Sequence, residues 1–309
     1  MAKYHILSLD GGGLRGLITV IILQRLNAEP GLKGWIDNVD LVAGTSTGGL
    51  LALAIAKGLD LQKLRDLYAV KGKKIFDDSW FDDVVDLGNI IGAQYSNRNL
   101  TRELINIIEN TTLGDLQKRV LVTSFDLDNE DPDPKKRTWK PKVFHNIPGQ
   151  ANDDSMLAYK VALYTSAAPS YFPAVDGYVD GGVFANNPSM CALAQTQDSR
   201  NTARPALSDV VLLSLGTGTS LTYIKGKKLD WGLAQWAKPL ISVMMDGVNG
   251  IADYQCKQLL GSCYHRVAPK FPPGVSMPLD AVKRVPEMID FANKVPLDDT
   301  VAWMKAQWI

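Results

Sequence analysis

The sequence predicts an α/β protein with a central parallel or mixed sheet flanked by helices, and a mostly helical C-terminal extension. The first observation is that strand-like apolar runs are separated by helix-like runs, which is typical of an α/β core. The second is that three of these runs end in glycine-rich turns. We expect residues 1–225 to form the core and residues 226–309 to pack on the same domain.

The elements follow one another along the chain without repeats or a low-complexity segment. Strands are predicted at 4–9, 39–43, 119–125, 141–145, 210–215 and 264–267, and a strand-like run precedes the glycine turn at 180–182. Helices are predicted at 14–28, 47–57, 61–71, 99–110 and 155–165, and over most of 231–260 and 280–307. Residues 76–96 combine aspartates with Trp80 and Phe81 and show no clean period, so we predict a long loop or lid there.

Composition excludes several classes of protein. The 309 residues are 46% hydrophobic, which is enough for a full core, and 33 basic residues balance 33 acidic ones, which argues against a nucleic-acid partner. The three cysteines, Cys191, Cys256 and Cys263, form no C-x-x-C pair and predict buried thiols in a reducing compartment. We expect no signal peptide, because the first predicted strand begins by Tyr4, and no apolar run approaches the ~20 residues of a membrane span. We therefore expect a cytoplasmic protein that touches membranes only from the surface.

Residues 44–48 read Gly-Thr-Ser-Thr-Gly, between a strand-like run and a helix-like run. This is the context of a nucleophile elbow, in which Ser46 sits on a strained turn and the helix that follows points its positive end at the serine oxygen. Taken alone, the motif is equally compatible with a glycine-rich connection in which the serine caps the helix.

Two further glycine turns, at 10–13 and 180–182, could complete a catalytic site around Ser46. In an open α/β sheet, loops at the carboxyl ends of strands meet at one rim. The loop Asp10-Gly-Gly-Gly13 would supply backbone N–H groups for an oxyanion hole, and Asp180, beside two glycines, a carboxylate base.

These motifs resemble the three signatures of the patatin-like phospholipase family, in their usual order: Asp-Gly-Gly-Gly-Leu-Arg-Gly at 10–16, Gly-Thr-Ser-Thr-Gly at 44–48 and Asp-Gly-Gly at 180–182. Residues 164–173 and 213–219 are similar to further segments of that family. The resemblance implies a lipid acyl hydrolase with a Ser–Asp dyad, of phospholipase A or lysophospholipase type. Ser46 would be the nucleophile, Asp180 its base, and Gly11, Gly12 and Gly13 the oxyanion hole.

Arg15 opposes the dipole of the helix that it begins, at a cost of a few tenths to ~1 kcal/mol. Its position is explained if it faces an anion such as a lipid phosphate, and equally if it holds a neighbouring loop. Both interpretations remain open at the level of sequence.

Two other functions compete with a dyad hydrolase. A Ser46–Asp180–His265 triad would follow the chain order of α/β-hydrolases, but residues 1–45 have room for too few strands before the elbow. The glycines at 11, 13 and 16 also match a dinucleotide-binding fingerprint. However, the next strand ends in the elbow, where that fingerprint requires an acidic residue.

The resemblance implies no metal and no other cofactor, and the three histidines lack the spacing of metal ligands. The expected substrate is a membrane phospholipid or another acyl lipid, reached by peripheral contact with the membrane. Some bacterial members of the family are switched on by cyclic nucleotides. No motif identifies such an activator here, or a homo-oligomer, so both forms of gating stay open.

Overall fold

The computed structural model describes residues 3–72, 95–221, 223–224, 226 and 230–309. Seven strands form one sheet in the order β4-β3-β2-β1-β6-β7, and β5 pairs with a further part of β3. The strands are β1 Tyr4–Leu9, β2 Leu41–Thr45, β3 Arg119–Asp126, β4 Lys140–His145, β5 Tyr178–Asp180, β6 Val210–Leu215 and β7 Tyr264–Val267. The predicted loop or lid at 76–96 lies, except for its last two residues, outside the described residues.

Ten α-helices are described. They are α1 Gly16–Ala28, α2 Thr47–Ala56, α3 Leu61–Asp66, α4 Asn97–Ile108, α5 Ala158–Ser166, α6 Gly182–Ala185, α7 Ser189–Thr196, α8 Leu233–Leu260, α9 Val285–Lys294 and α10 Asp298–Gln307. A 3₁₀ turn over Gly13–Arg15 precedes α1, so this helix begins two residues later than predicted. The short helices α6 and α7 were not foreseen.

The sheet is mixed, which confirms the predicted fold class. Strands β1, β2, β3, β6 and β7 run parallel, whereas β4 and β5 pair with β3 in the antiparallel sense. Both faces of the sheet are buried: one packs against α1, α2, α4, α5, α9 and α10, and the other packs against α7 and α8. The near-continuous apolar strands follow from this burial on two sides.

The register of β3 determines where the functional loops meet. Thr45, the last residue of β2, pairs with Thr123, and Asp180, the last residue of β5, pairs with Ser124. Strand β5 therefore continues along β3 at the point where β2 ends. The turn that follows β2 and the carboxylate that ends β5 are brought side by side.

The C-terminal part joins the core directly. Strand β7 extends the sheet beside β6, and α9 packs against α1. The region 280–307, predicted to be mostly helical, contains the two helices α9 and α10 with Pro296 between them, since a proline inside a helix removes a hydrogen bond. None of the described helices combines the length and the apolar character that crossing a bilayer requires.

Candidate active site

Ser46 occupies a strained turn between β2 and α2. Its backbone has φ 54° and ψ −126°, a conformation that residues with a side chain rarely adopt. Such strain persists only where the surroundings impose it, and it is concentrated at functional sites. The turn lifts the Ser46 side chain off the end of the sheet, as the motif predicted.

The two glycines of the motif are explained by close backbone approach. A Cβ atom on Gly44 would lie 2.1 Å from the carbonyl oxygen of Gly48, and one on Gly48 would lie 2.1 Å from the carbonyl oxygen of Leu9. Any side chain at either position would collide with backbone that cannot move without opening the turn.

Thr165 links the backbone of the elbow to strand β3. Its Oγ1 accepts the Ser46 N–H at 2.8 Å and donates to the Thr123 carbonyl at 2.6 Å. Thr123 belongs to the strand that also pairs with Asp180's strand. The nucleophile and the carboxylate are thus tied to one rigid element.

Asp180 is 5% exposed and ends β5. Burial raises the pKa of Asp180 to about 6, whereas hydrogen bonding with the Ser46 side chain and with the Gly182 N–H acts in the opposite direction. The Gly182 N–H donates to Oδ1 at 2.7 Å. A carboxylate with this pKa is a stronger base than an exposed aspartate and still ionises near neutral pH.

The glycine loop, residues 10–13, lies beside Ser46. The Gly11 N–H donates to the Asn186 carbonyl at 3.0 Å, so this N–H is engaged and is not available to an oxyanion. Gly12 and Gly13 line the cavity together with Ser46. Of the three glycines predicted to form the oxyanion hole, Gly12 and Gly13 remain as candidate donors.

Two residues that the sequence did not single out, Thr47 and Asn186, also line the cavity beside Ser46. Thr47 begins α2, so its N–H has no acceptor within the helix, and it follows the nucleophile as an oxyanion donor does in related elbows. Asn186 is 4% exposed and its Oδ1 has no hydrogen-bond partner among the described residues. A Cβ on Gly11 would lie 2.2 Å from that oxygen, which places it at the glycine loop. The signal for Thr47 was its position in the motif; Asn186 had none.

Arg15 lies behind the glycine loop. Its Nη1 donates to the Gly218 carbonyl at 3.1 Å and its Nε to the Gly12 carbonyl at 3.3 Å. Burial lowers the pKa of Arg15 to about 10, while Asp246 of α8 favours its charge, so the guanidinium remains protonated at neutral pH. These hydrogen bonds agree with the interpretation in which Arg15 holds a neighbouring loop, one of the two that the sequence left open.

A buried ion pair connects the glycine loop to the C-terminal part. Arg266 of β7 donates through two nitrogens to Asp10, at 2.6 and 3.2 Å, and through one of them to Ser214 Oγ at 2.6 Å. Both partners are almost fully buried, with side-chain exposures of 11% and 3%. The first residue of the glycine loop is therefore positioned by a strand residue that lies 256 residues later in the chain.

Ser46 and Asp180 open into an apolar cavity of about 230 Å³. This is many times the space of a single water, so the cavity accepts an organic group. Its walls are mostly hydrophobic side chains, among them Leu14, Leu67, Leu104, Phe172, Met245 and Leu279. An apolar cavity with a few convergent polar groups is the usual form of a small-molecule or lipid site.

No histidine is among the described residues that line the cavity. His265 Nε2 lies 2.9 Å from Thr300 Oγ1 and its ring stacks on Trp303, both in α10. His5 contacts Asp40, and His145 Nδ1 accepts from the Ile147 N–H.

The model of the patatin-like phospholipase family matches residues 7–193, more than half of the chain, and this range contains the elbow, the glycine loop and Asp180. The chain belongs to this family. As a patatin-like enzyme it is a lipid ester hydrolase, as the resemblance of its motifs predicted.

Two curated relatives that the chain matches over most of its length carry the names of a phospholipase and a hydrolase. The chain is 32% identical over 289 residues to a cGAMP-activated phospholipase of Pseudomonas aeruginosa, covering 91% of this chain and 83% of that protein. It is 29% identical to the putative sporulation hydrolase CotR of Bacillus subtilis, over 100% and 99% of the two chains. The crystal structure of VipD from Legionella pneumophila is similar over 94% of this chain and 67% of that one, with 13% identity and a TM-score of 0.44.

Proposed function

We propose that this patatin-like protein releases fatty acids from phospholipids or lysophospholipids through a Ser46–Asp180 dyad. The observation that carries the proposal is the juxtaposition of a strained, elbow-borne Ser46 with a buried Asp180 of raised pKa, at the end of an apolar cavity. The nucleophile, the base and a site for the acyl chain would then lie next to one another.

In the first half of the reaction, Ser46 Oγ attacks the carbonyl carbon of the acyl ester and its proton moves to the Asp180 carboxylate. The carbonyl oxygen becomes an oxyanion, which the N–H groups of Gly12, Gly13 and Thr47 would stabilise. The intermediate collapses to an acyl-Ser46 ester, and the departing alcohol takes the proton from Asp180.

In the second half, a water molecule attacks the acyl carbon and gives its proton to Asp180. Collapse of the second tetrahedral intermediate releases the fatty acid and returns the proton to Ser46. Asp180 accepts and donates in turn, and a pKa of about 6 suits both steps near neutral pH.

The cavity supports an acyl lipid as substrate, because its hydrophobic side chains would bury a hydrocarbon chain beside Ser46. We further propose that the charge of Arg15 attracts the phosphate of the headgroup. Arg15 would act across the glycine loop, since its described hydrogen bonds go to backbone carbonyls.

A histidine triad finds no support in the geometry. His265 is engaged with Thr300 and Trp303 of α10, whereas the Ser46 side chain is close enough to Asp180 to lower the pKa of that carboxyl. Gly11 and Gly16 lie against Ser46 and Thr47 of the elbow, where a dinucleotide would need an open phosphate site.

Regulation and location are part of the same proposal. The P. aeruginosa relative is named for activation by cGAMP, so we propose a cyclic nucleotide, alone or with homo-oligomerisation, as the activator of this chain. We propose peripheral contact with the cytoplasmic face of a membrane. Turnover measured with and without cGAMP, at several protein concentrations, tests the gating.

The decisive experiment combines covalent labelling with lipid analysis. A fluorophosphonate probe should modify Ser46 in the wild type and should not modify Ser46→Ala. Labelling should persist in Ser166→Ala, which removes another serine of the same cavity. Membranes treated with wild-type protein should gain free fatty acid and lose the parent lipid, and Ser46→Ala should produce neither change. Undiminished labelling or lipolysis by folded Ser46→Ala would overturn the proposal.

A further inference from the structure

The backbone carbonyls of the glycine loop are held from the side away from the cavity. The Gly11 carbonyl accepts a hydrogen bond from Thr217 Oγ1 at 2.8 Å. The Gly12 carbonyl accepts from the backbone N–H of Arg15 at 3.2 Å and from its Nε at 3.3 Å. Two consecutive peptide groups are thus each fixed through their oxygen atom.

The fixed carbonyls determine the direction of the neighbouring N–H groups. In a trans peptide the C=O of one residue and the N–H of the next point in opposite directions. A bond from Thr217 to the Gly11 carbonyl therefore orients the Gly12 N–H to the other side, and the Arg15 bonds do the same for the Gly13 N–H. Gly12 and Gly13 line the cavity with Ser46, so that other side is the reaction centre.

Thr217 is built closely against the loop. It is 4% exposed and follows β6, whose Leu215 pairs with Leu9 immediately before the loop. A Cβ on Gly12 would lie 2.1 Å from Thr217 Oγ1, so the hydroxyl occupies the space next to the Gly12 backbone. Its described hydrogen bond goes to the Gly11 carbonyl, and Thr217 is not among the residues that line the cavity.

We propose that Thr217 is a positioning residue for the oxyanion hole: its hydroxyl holds the Gly11–Gly12 peptide in the orientation that presents the Gly12 N–H to the oxyanion. Without the hydroxyl, this peptide can rotate and turn the Gly11 carbonyl towards the cavity, where it would repel the developing negative charge. The inference rests on the proposed acyl hydrolase function and deepens it.

The proposal predicts a specific kinetic effect. An oxyanion hole acts on the transition state more than on the bound substrate, so its distortion lowers kcat and leaves KM nearly unchanged. Loss of one donor in such a hole costs about 10²–10³-fold in kcat. Thr217→Val keeps the shape and removes the hydroxyl, and we expect a loss on the order of 10²-fold.

Three variants isolate the hydroxyl. Thr217→Val and Thr217→Ala lack it, and Thr217→Ser retains it. The control is Thr219→Val, the same substitution two residues further, where the described hydrogen bonds are made by the backbone. Each variant is assayed with p-nitrophenyl butyrate, for the rate of fluorophosphonate labelling of Ser46, and for thermal unfolding.

We expect Thr217→Val and Thr217→Ala to fold, to lose kcat at nearly constant KM, and to label slowly. Thr217→Ser should lie within a few-fold of wild type, and Thr219→Val should match wild type. Wild-type kcat in Thr217→Val, or an equal loss in Thr217→Ser, would overturn the proposal. So would a failure of both hydroxyl-free variants to fold while Thr217→Ser folds, because the hydroxyl would then serve stability.

A failure of the Thr217 proposal can be distinguished from a failure of the proposed function. If the proposed function is wrong, the wild type itself shows no turnover or labelling that depends on Ser46. If only the inference is wrong, the wild type is active and Thr217→Val retains that activity.

Discussion

Thr45 and Asp180, the last residues of β2 and β5, pair with consecutive residues of β3. Since Ser46 follows Thr45 directly, one strand sets the separation of the nucleophile from the carboxylate. The pair is therefore held by backbone ladders, which are stiffer than a contact between two loops. This arrangement suits a reaction in which a proton passes directly between the two side chains.

The pH dependence of turnover should report Asp180. Its carboxylate must be ionised to accept the Ser46 proton, and burial raises its pKa to about 6. We expect kcat/KM to fall about tenfold per pH unit below that value and to level off above it. A pH profile with a soluble ester, corrected for stability, checks this, and a limb centred near pH 4 would contradict the raised pKa.

Asp180→Asn should abolish most of the activity without loss of the fold. The amide preserves the shape and can still accept the Gly182 N–H, but it cannot take a proton from Ser46. We expect kcat to fall by at least the ~10²–10⁴-fold of lost general-base catalysis. Steady-state kinetics measure the loss, with circular dichroism as the control for folding. Near-normal turnover would mean that another group is the base.

The same variant should be more stable than wild type at neutral pH. The folded-state pKa of Asp180 is raised from 3.8 to about 6, so its ionisation destabilises the fold as pH rises through about 6. At 1.36 kcal/mol per pKa unit, Asp180→Asn avoids up to about 3 kcal/mol at pH 8 and almost nothing at pH 4. Urea unfolding at the two pH values tests this, and an equal difference at both would be inconsistent with it.

His265→Ala should leave the chemical step within a few-fold of wild type. Burial lowers the pKa of His265, and its ring contacts α10, so the substitution removes packing and the Thr300 contact. We expect a lower free energy of unfolding with kcat largely retained. Turnover of a soluble ester by the folded variant is the measurement. A loss of a thousandfold or more would indicate a histidine-dependent triad.

Arg266→Met should be strongly destabilising. It leaves Asp10 buried without its partner, which typically costs about 3–5 kcal/mol. The double variant Asp10→Asn with Arg266→Met should recover much of this loss. Lys294→Met, which breaks an exposed pair with Asp290, should change stability by less than about 1 kcal/mol. Urea unfolding of the four proteins checks the order, and similar losses for Arg266→Met and Lys294→Met would refute it.

Much of the fold and part of the site could be predicted because their signals are local. The apolar strands β1, β3 and β6 were predicted to within one residue, as was α2 after the elbow. A strand or a turn depends on neighbouring residues, which the sequence displays side by side. The short helices α6 and α7 escaped because their stability comes from packing against the sheet and α8 rather than from a clear helical period.

By itself the sequence determined the α/β class, the Gly-Thr-Ser-Thr-Gly turn at Ser46, and the candidates Asp180 and Gly11–Gly13, since each is a local pattern with a local physical cause. Only the tertiary structure decided which of these groups meet. The register of β3 joins Asp180 to the elbow, Asn186 takes up the Gly11 N–H, and Thr217 and Arg15 hold the carbonyls of the glycine loop. These contacts join segments far apart in the chain. They depend on strand order and register, which no local pattern encodes.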